Sequence, residues 1–204
     1  MDSKTHWHEA FQKRRSNEVS WYQPHLVLSL QMILRSVAGP GARILDVGGG
    51  DSTLVDDLVH GGFGDVTVLD IAPGALERAR QRLGSGGMNV RWIESDVLQA
   101  QLPERQFDVW HDRALFHFLI DAEARLQYIS KAAVAVKSGG HLILATFASD
   151  GPERCSGLPT MRYSPEELAR EAREYFAPVE TQREIHTTPE GTDQSFIYCR
   201  FRHM

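Results

Sequence analysis

Two hydrophobic rhythms alternate along most of the chain. Short, nearly continuous apolar runs occupy 43–47, 66–70, 90–93, 107–110 and 141–147, and each reads as a buried strand. Between them lie stretches in which apolar positions recur every three or four residues. At 51–60, Leu54, Val55, Leu58 and Val59 share one helical face; 73–83 opens with Pro73 in its first turn; 121–136 is a long helix that Gly139-Gly140 is expected to stop; 165–175 is a further helix. Two helices precede the first strand, one carrying Trp7, Ala10, Phe11 and Arg14 at helical spacing and one over 24–37. Strands are expected at 179–185 and 194–201, and the Pro189- and Gly191-containing link between them is too short for a parallel crossover.

This order predicts an α/β fold: a doubly wound, Rossmann-like sheet, mostly parallel with one antiparallel C-terminal strand, and helices on both faces. With 204 residues, the expectation is a single domain over 1–204, with a helical segment over 1–40 closing the site and the core over 41–204. A formal charge of −5 argues against a basic, nucleic-acid-coating surface. The longest apolar runs fall far short of the roughly 18 residues that a membrane-spanning helix needs. Two cysteines, Cys155 and Cys199, suit a reducing cytoplasm and make neither a disulfide framework nor a four-ligand zinc site. No His or Cys cluster has metal-ligand spacing, so no metal is expected.

The chemistry gathers where the first strand ends, at Leu45-Asp46-Val47-Gly48-Gly49-Gly50-Asp51-Ser52. Glycines let a backbone turn sharply and approach a ligand, and in a doubly wound sheet this loop sits at the ligand-binding edge. Twenty residues past Gly50, Asp70 ends the second strand, where a carboxylate accepts from ribose hydroxyls. A dinucleotide fingerprint requires a third glycine where Thr53 stands, and Asp46 and Asp51 would repel a pyrophosphate. Electrostatics favour a nucleoside that carries positive charge.

With these residues the chain resembles the class I S-adenosylmethionine-dependent methyltransferases. The resemblance rests on 44–50, Val68-Leu69-Asp70-Ile71-Ala72, Glu94-Ser95-Asp96-Val97, 107–112 and Ser138-Gly139-Gly140-His141-Leu142. It implies S-adenosyl-L-methionine as cofactor and S-adenosyl-L-homocysteine as product. Gly48 and Gly50 would cradle the methionine portion, with Asp46 at its amine and the backbone of His111 alongside. Asp70 would hold the ribose, Ile71 would pack on the adenine, and Asp96 and Val97 would bind the adenine edge.

The acceptor side is read from three segments. Trp21 and Tyr22 either close over the cofactor and wall the acceptor pocket, or anchor the N-terminal helices. After the fourth strand, Arg113 is a candidate to orient an anion or thiolate, with salt-bridging as its structural alternative. His117 is a candidate base, although a lone His in an aromatic run, here between Phe116 and Phe118, more often packs than reacts. Cys155, in the loop after the fifth strand, is expected to be an inert small residue. Tyr22-Gln23, Asp112-Arg113-Ala114-Leu115 and Gly157-Leu158-Pro159 are similar to stretches of the thiol and thiopurine S-methyltransferases. Leu158 and a longer spacing after Phe147 depart from that pattern. The resemblance implies a small-molecule acceptor such as a thiol, sulfide or related chalcogen compound, and neither nucleic acid nor membrane as partner. Protein lysine methylation and a non-catalytic cofactor-binding subunit are the alternatives.

Overall fold

Strands that are apolar on both sides need two covers, and the chain supplies them from opposite faces. The computed structural model describes residues 3–13 and 15–204. Its elements are α1 (Ser3–Lys13), α2 (Val27–Ser36), β1 (Arg43–Val47), α3 (Leu54–His60), β2 (Asp65–Asp70), α4 (Pro73–Leu83), β3 (Arg91–Glu94), β4 (Phe107–Arg113), α5 (Ala122–Ala135), β5 (Val136–Phe147), α6 (Pro165–Ala172), β6 (Phe176–Thr187) and β7 (Asp193–His203). Arg14, expected on the first helix, lies outside the described residues. The main sheet runs β3-β2-β1-β4-β5-β7-β6. β1 to β5 are parallel, and β7 is antiparallel to both β5 and β6. The fold is thus the Rossmann-like arrangement expected, with a single reversed strand.

Alternate residues of each strand feed alternate cores. Leu45, Val47, Trp110 and Leu144 face Tyr128, Ile129 and Ala132 of α5 and Leu168 of α6. Ile44, Val68, Val109 and Ile143 face Met32 and Ile33 of α2 and Leu54 and Leu58 of α3. That second face also carries Asp46, His111 and Arg113, because each lies an even number of residues from its apolar neighbours.

Three local expectations change. β4 continues through His111, Asp112 and Arg113, three polar residues that read as a loop. Pairing with β1 on one side and β5 on the other satisfies their backbone groups in the ladder, which outweighs their polarity. α5 stops at Ala135 and the chain enters β5 at once, so Gly139-Gly140 lie inside a strand. Gly140 is there for space: a Cβ on it would sit 2.9 Å from the Lys137 carbonyl oxygen and 3.0 Å from that of Asp108. The edge strand β6 runs from Phe176, longer than its apolar core, and tolerates Pro178 beside a register shift.

A buried polar chain locks β4 to α5. Trp110 Nε1 donates to Tyr128 Oη at 2.8 Å, and that hydroxyl donates to Asp112 at 2.5 Å. Asp112 in turn accepts from the backbone N–H groups of Leu115 and Phe116, at 3.0 and 3.1 Å, and so shapes the turn that leaves β4. Burial pushes the Asp112 carboxyl up to about 6, against the pull of the Tyr128 hydroxyl and those two N–H groups. Tyr128→Phe removes the hydroxyl from the middle of this chain and leaves two buried groups short of a partner. It is expected to cost about 1–3 kcal/mol in urea unfolding with the fold retained.

Candidate functional site

The turn between β1 and α3 is built by three glycines with different duties. Gly48 and Gly50 adopt φ of +70° and +50°, the left-handed region that glycine enters without strain. Gly48 N donates to the Leu69 carbonyl at 2.7 Å, which ties the turn to β2. A Cβ on Gly48 would lie 2.8 Å from the Leu115 side chain, and one on Gly50 would lie 3.3 Å from Phe11. Gly49 escaped sequence reasoning, because the motif leaves its position open. It is nevertheless the most crowded of the three, with a Cβ there only 2.5 Å from Asp46 Oδ2 and 2.8 Å from Val68. The glycines therefore allow close packing of side chains around the loop, in addition to a tight turn.

Beside this loop two neighbouring cavities open, of about 170 Å³ and about 50 Å³. Asp70, Ile71, Asp96, Val97, Trp21 and Arg113 line the larger. Tyr22, Asp46, Gly50 and His111 line the smaller, while Gly48, Trp21 and Arg113 reach both. The structure thus gathers every expected site residue except His117. Asp70 Oδ1 accepts from Ala72 N at 2.8 Å. Burial raises the Asp70 carboxyl from 3.8 to about 7, the Asp51 and Asp46 charges add to the rise, and the Ala72 and Gly50 N–H groups oppose it. Asp96 Oδ1 accepts from Leu98 N at 2.8 Å, which fixes the turn after β3.

Asp46 and His111 meet in the smaller cavity. The parallel register sets them opposite each other on β1 and β4, and His111 Nδ1 stands 2.7 Å from Asp46 Oδ1. Both are buried. His111 Nε2 has no hydrogen-bond partner among the described residues.

Arg113, the candidate to orient an anion or thiolate, lines both cavities and is held chiefly by β7 and the N-terminal segment. Its guanidinium lies 4.6 Å from the centre of the Phe196 ring, Nε donates to Tyr198 Oη at 2.9 Å, and Nη1 donates to the Trp21 carbonyl at 3.0 Å. Among the described residues Nη2 makes no hydrogen bond, and it stands 3.8 Å from Glu184. Two more side chains of β6 secure the same N-terminal segment. His186 Nε2 donates to the Ser20 carbonyl at 2.7 Å, and the Gln23 amide donates to His186 Nδ1 at 3.1 Å and to Glu184 at 3.2 Å. Trp21 is held by its backbone so that its ring packs edge-on against Trp7 and Phe11, both at 5.8 Å. With Phe118, 5.1 Å from Trp7, these rings wall the larger cavity.

Of the two readings of His117, candidate base or packed ring, the structure places it as the packed ring. It is fully buried, 4.5 Å from the rings of both Phe118 and Phe147, and it does not line either cavity. Burial, and then the Arg113 charge, lower its ring to about 3, so it stays neutral at ordinary pH. Cys155 does line the larger cavity, but burial pushes its thiol up to about 11, which keeps it protonated and unreactive. Among the described residues no group of His, Cys, Asp and Glu is arranged to hold a metal ion.

Residues 44–140 match the family model described as a methyltransferase domain. A malonyl-[acyl-carrier protein] O-methyltransferase of Anoxybacillus flavithermus is 31% identical over 68% of this chain and 53% of its own length. An eEF1A lysine and N-terminal methyltransferase homolog of Drosophila melanogaster is 26% identical over 68% of this chain and 21% of its length. The chain therefore spans about half of one relative and about a fifth of the other. The N-methyltransferase NodS of Bradyrhizobium japonicum, solved with S-adenosyl-L-homocysteine, superposes with a TM-score of 0.74 over 99% of both chains at 18% identity, a likeness of fold.

The Asp70 carboxyl has a testable signature in the ligand-free chain. Between about pH 4 and about 7 the folded state keeps a proton that the unfolded state releases, so this group lowers stability as pH rises through that window. Asp70→Asn removes the effect. Its stability advantage over the wild type is expected to grow from pH 4.5 to 7.5, reaching on the order of a few kcal/mol, and then level off. Thermal unfolding of both chains across this range measures it.

Proposed function

We propose that this chain, whose residues 44–140 match the model of a methyltransferase domain, transfers a methyl group from S-adenosyl-L-methionine to a small-molecule acceptor of the thiol, sulfide or related chalcogen type. When bound, the cofactor supplies an electrophilic methyl group on a sulfonium. The residues around the two cavities suit it. The buried Asp70 at the end of β2 lines the larger cavity together with Ile71, Asp96 and Val97, a set that suits a ribose and an adenine. The three acidic side chains Asp46, Asp51 and Asp70 surround the glycine turn and favour a positively charged ligand over a phosphate. The smaller cavity, with Asp46 and His111, is left for the amino-acid end of the cofactor.

The observation that carries the acceptor reading is the place of Arg113. Arg113 lines both cavities, and its Nη2, 3.8 Å from Glu184, makes no hydrogen bond among the described residues. A fixed cation there favours the thiolate form of an acceptor by lowering its pKa. A thiol also ionises near neutral pH with little help, which suits a cavity that neither His117 nor Cys155 equips with a base. Orientation of acceptor and methyl group then supplies most of the rate. Trp7, Phe11, Trp21 and Phe118 give the larger cavity an aromatic wall, and Arg113 holds the segment that bears Trp21 against it.

Calorimetry with S-adenosyl-L-homocysteine tests the cofactor half: the wild type is expected to bind, and Asp70→Ala to bind about tenfold to a hundredfold more weakly, the worth of a charge-assisted pair of hydrogen bonds. Failure of the wild type to bind would defeat the reading. Turnover against small thiols, sulfide, amines, phenols and a protein extract tests the acceptor half, with thiols or sulfide expected to lead. Arg113→Gln is expected to depress thiol turnover per folded molecule and to shift the rising limb of the pH–rate profile upward. It also lowers the melting temperature, since the Trp21 carbonyl loses its donor. An unshifted profile would reduce Arg113 to that tether.

A further inference from the structure

The carboxylate that the family resemblance sets at the cofactor's amine is already engaged. Asp46 Oδ1 is 2.7 Å from His111 Nδ1, and both side chains are buried. A carboxylate can only accept, so the hydrogen of this bond belongs to Nδ1. A neutral imidazole then presents Nε2 as an acceptor. That nitrogen is buried, lacks a partner among the described residues, and belongs to a side chain that lines the smaller cavity beside the glycine turn. A buried acceptor without a partner is costly, and a ligand that brings a hydrogen to it recovers the cost on binding.

We propose that His111, rather than Asp46, receives the α-ammonium group of the cofactor's methionine, through Nε2. Asp46 is a positioning residue that holds the ring in the tautomer able to accept. The inference rests on the proposed reading that the smaller cavity takes the amino-acid end of S-adenosyl-L-methionine. Gly49 is part of the same device. A side chain there would strike Asp46 Oδ2 and Val68, and would displace the carboxylate from the ring.

The test compares S-adenosyl-L-homocysteine with its deaminated analogue, in which hydrogen replaces the α-amino group. By calorimetry the wild type is expected to prefer the amine-bearing ligand by at least about tenfold, the effect of one hydrogen bond to a charged group. His111→Leu is expected to reduce that preference below about threefold, with the deaminated ligand bound as before. Asp70→Asn is expected to weaken both ligands by a similar factor and keep the preference. A His111→Leu chain that folds and retains the wild-type preference overturns the proposal, as does a wild type with no preference. Nitrogen-15 resonances of the wild-type His111 ring give an answer independent of how the variant folds. Ligand-free, Nδ1 is expected to carry the hydrogen and Nε2 to show the unprotonated, acceptor-type signal. That signal is expected to move when S-adenosyl-L-homocysteine is added and to stay when the deaminated analogue is added. A hydrogen on Nε2, or equal shifts with both ligands, overturns the proposal. Absence of any binding by the wild type removes the cofactor reading and this inference with it.

Discussion

Ionisable groups buried at the carboxyl ends of β1, β2 and β4 impose the constraint that organises this molecule. Asp46, Asp70, His111, Asp112 and Arg113 are all buried within a few residues of one another along three adjacent strands. A buried charge without hydrogen bonds costs several kcal/mol, so each needs an answer close by. Asp112 finds it in Tyr128 and two backbone N–H groups, Asp46 in His111, and Arg113 in Tyr198 and the Trp21 carbonyl. Asp70 is answered by the Ala72 and Gly50 N–H groups, and burial still raises its carboxyl to about 7, above the Asp112 carboxyl at about 6. The turn after β4, the packing of α5 and the path of the N-terminal segment all follow from supplying these partners.

The two faces of the sheet divide this work. On the α5 side, Asp112 is fully enclosed by partners from its own neighbourhood, and the result is structural. On the other side, the Asp46, His111 and Arg113 layer runs beneath a segment that arrives from far away in sequence, and among the described residues His111 Nε2 and Arg113 Nη2 make no hydrogen bond, the latter facing Glu184 at 3.8 Å. His111 and Arg113 both line the smaller cavity, so a ligand bound there has partners to offer them.

The N-terminal segment is attached to the core by polar contacts at one end and aromatic ones at the other. Around Ser20 to Gln23 the hold is specific, through Arg113, Glu184 and His186. α1 depends on the rings of Trp7 and Phe11 and on an Arg78 donor to the Phe11 carbonyl, with an exposed Lys4–Glu94 pair that contributes little. The part of the segment that walls the cavities is therefore anchored from β4, β6 and β7 together. The antiparallel C-terminal hairpin thus supports the site as well as completing the sheet.

Strand and helix identity was legible in the sequence because periodicity is a local property. The bounds of β1 and α4 follow directly from their apolar runs and Pro73, and the short 187–193 link required the reversal at β7. The acidic positions around the site were legible for the same reason: Asp46, Asp70 and Asp96 each stand at a strand end next to a turn that their own neighbours announce. Partnership was not legible. Asp46 and His111 are 65 residues apart and meet only through the register of two parallel strands, and Arg113 reaches Trp21 across 92 residues. The same blindness hid the extension of β4, where ladder pairing prevails over polar side chains, and the crowding at Gly49, where the atoms in the way come from Asp46 and from a different strand. Local rhythm determines which elements form and where their ends lie, whereas which buried groups are satisfied and which remain open to a ligand depends on contacts that exist only once the sheet has assembled.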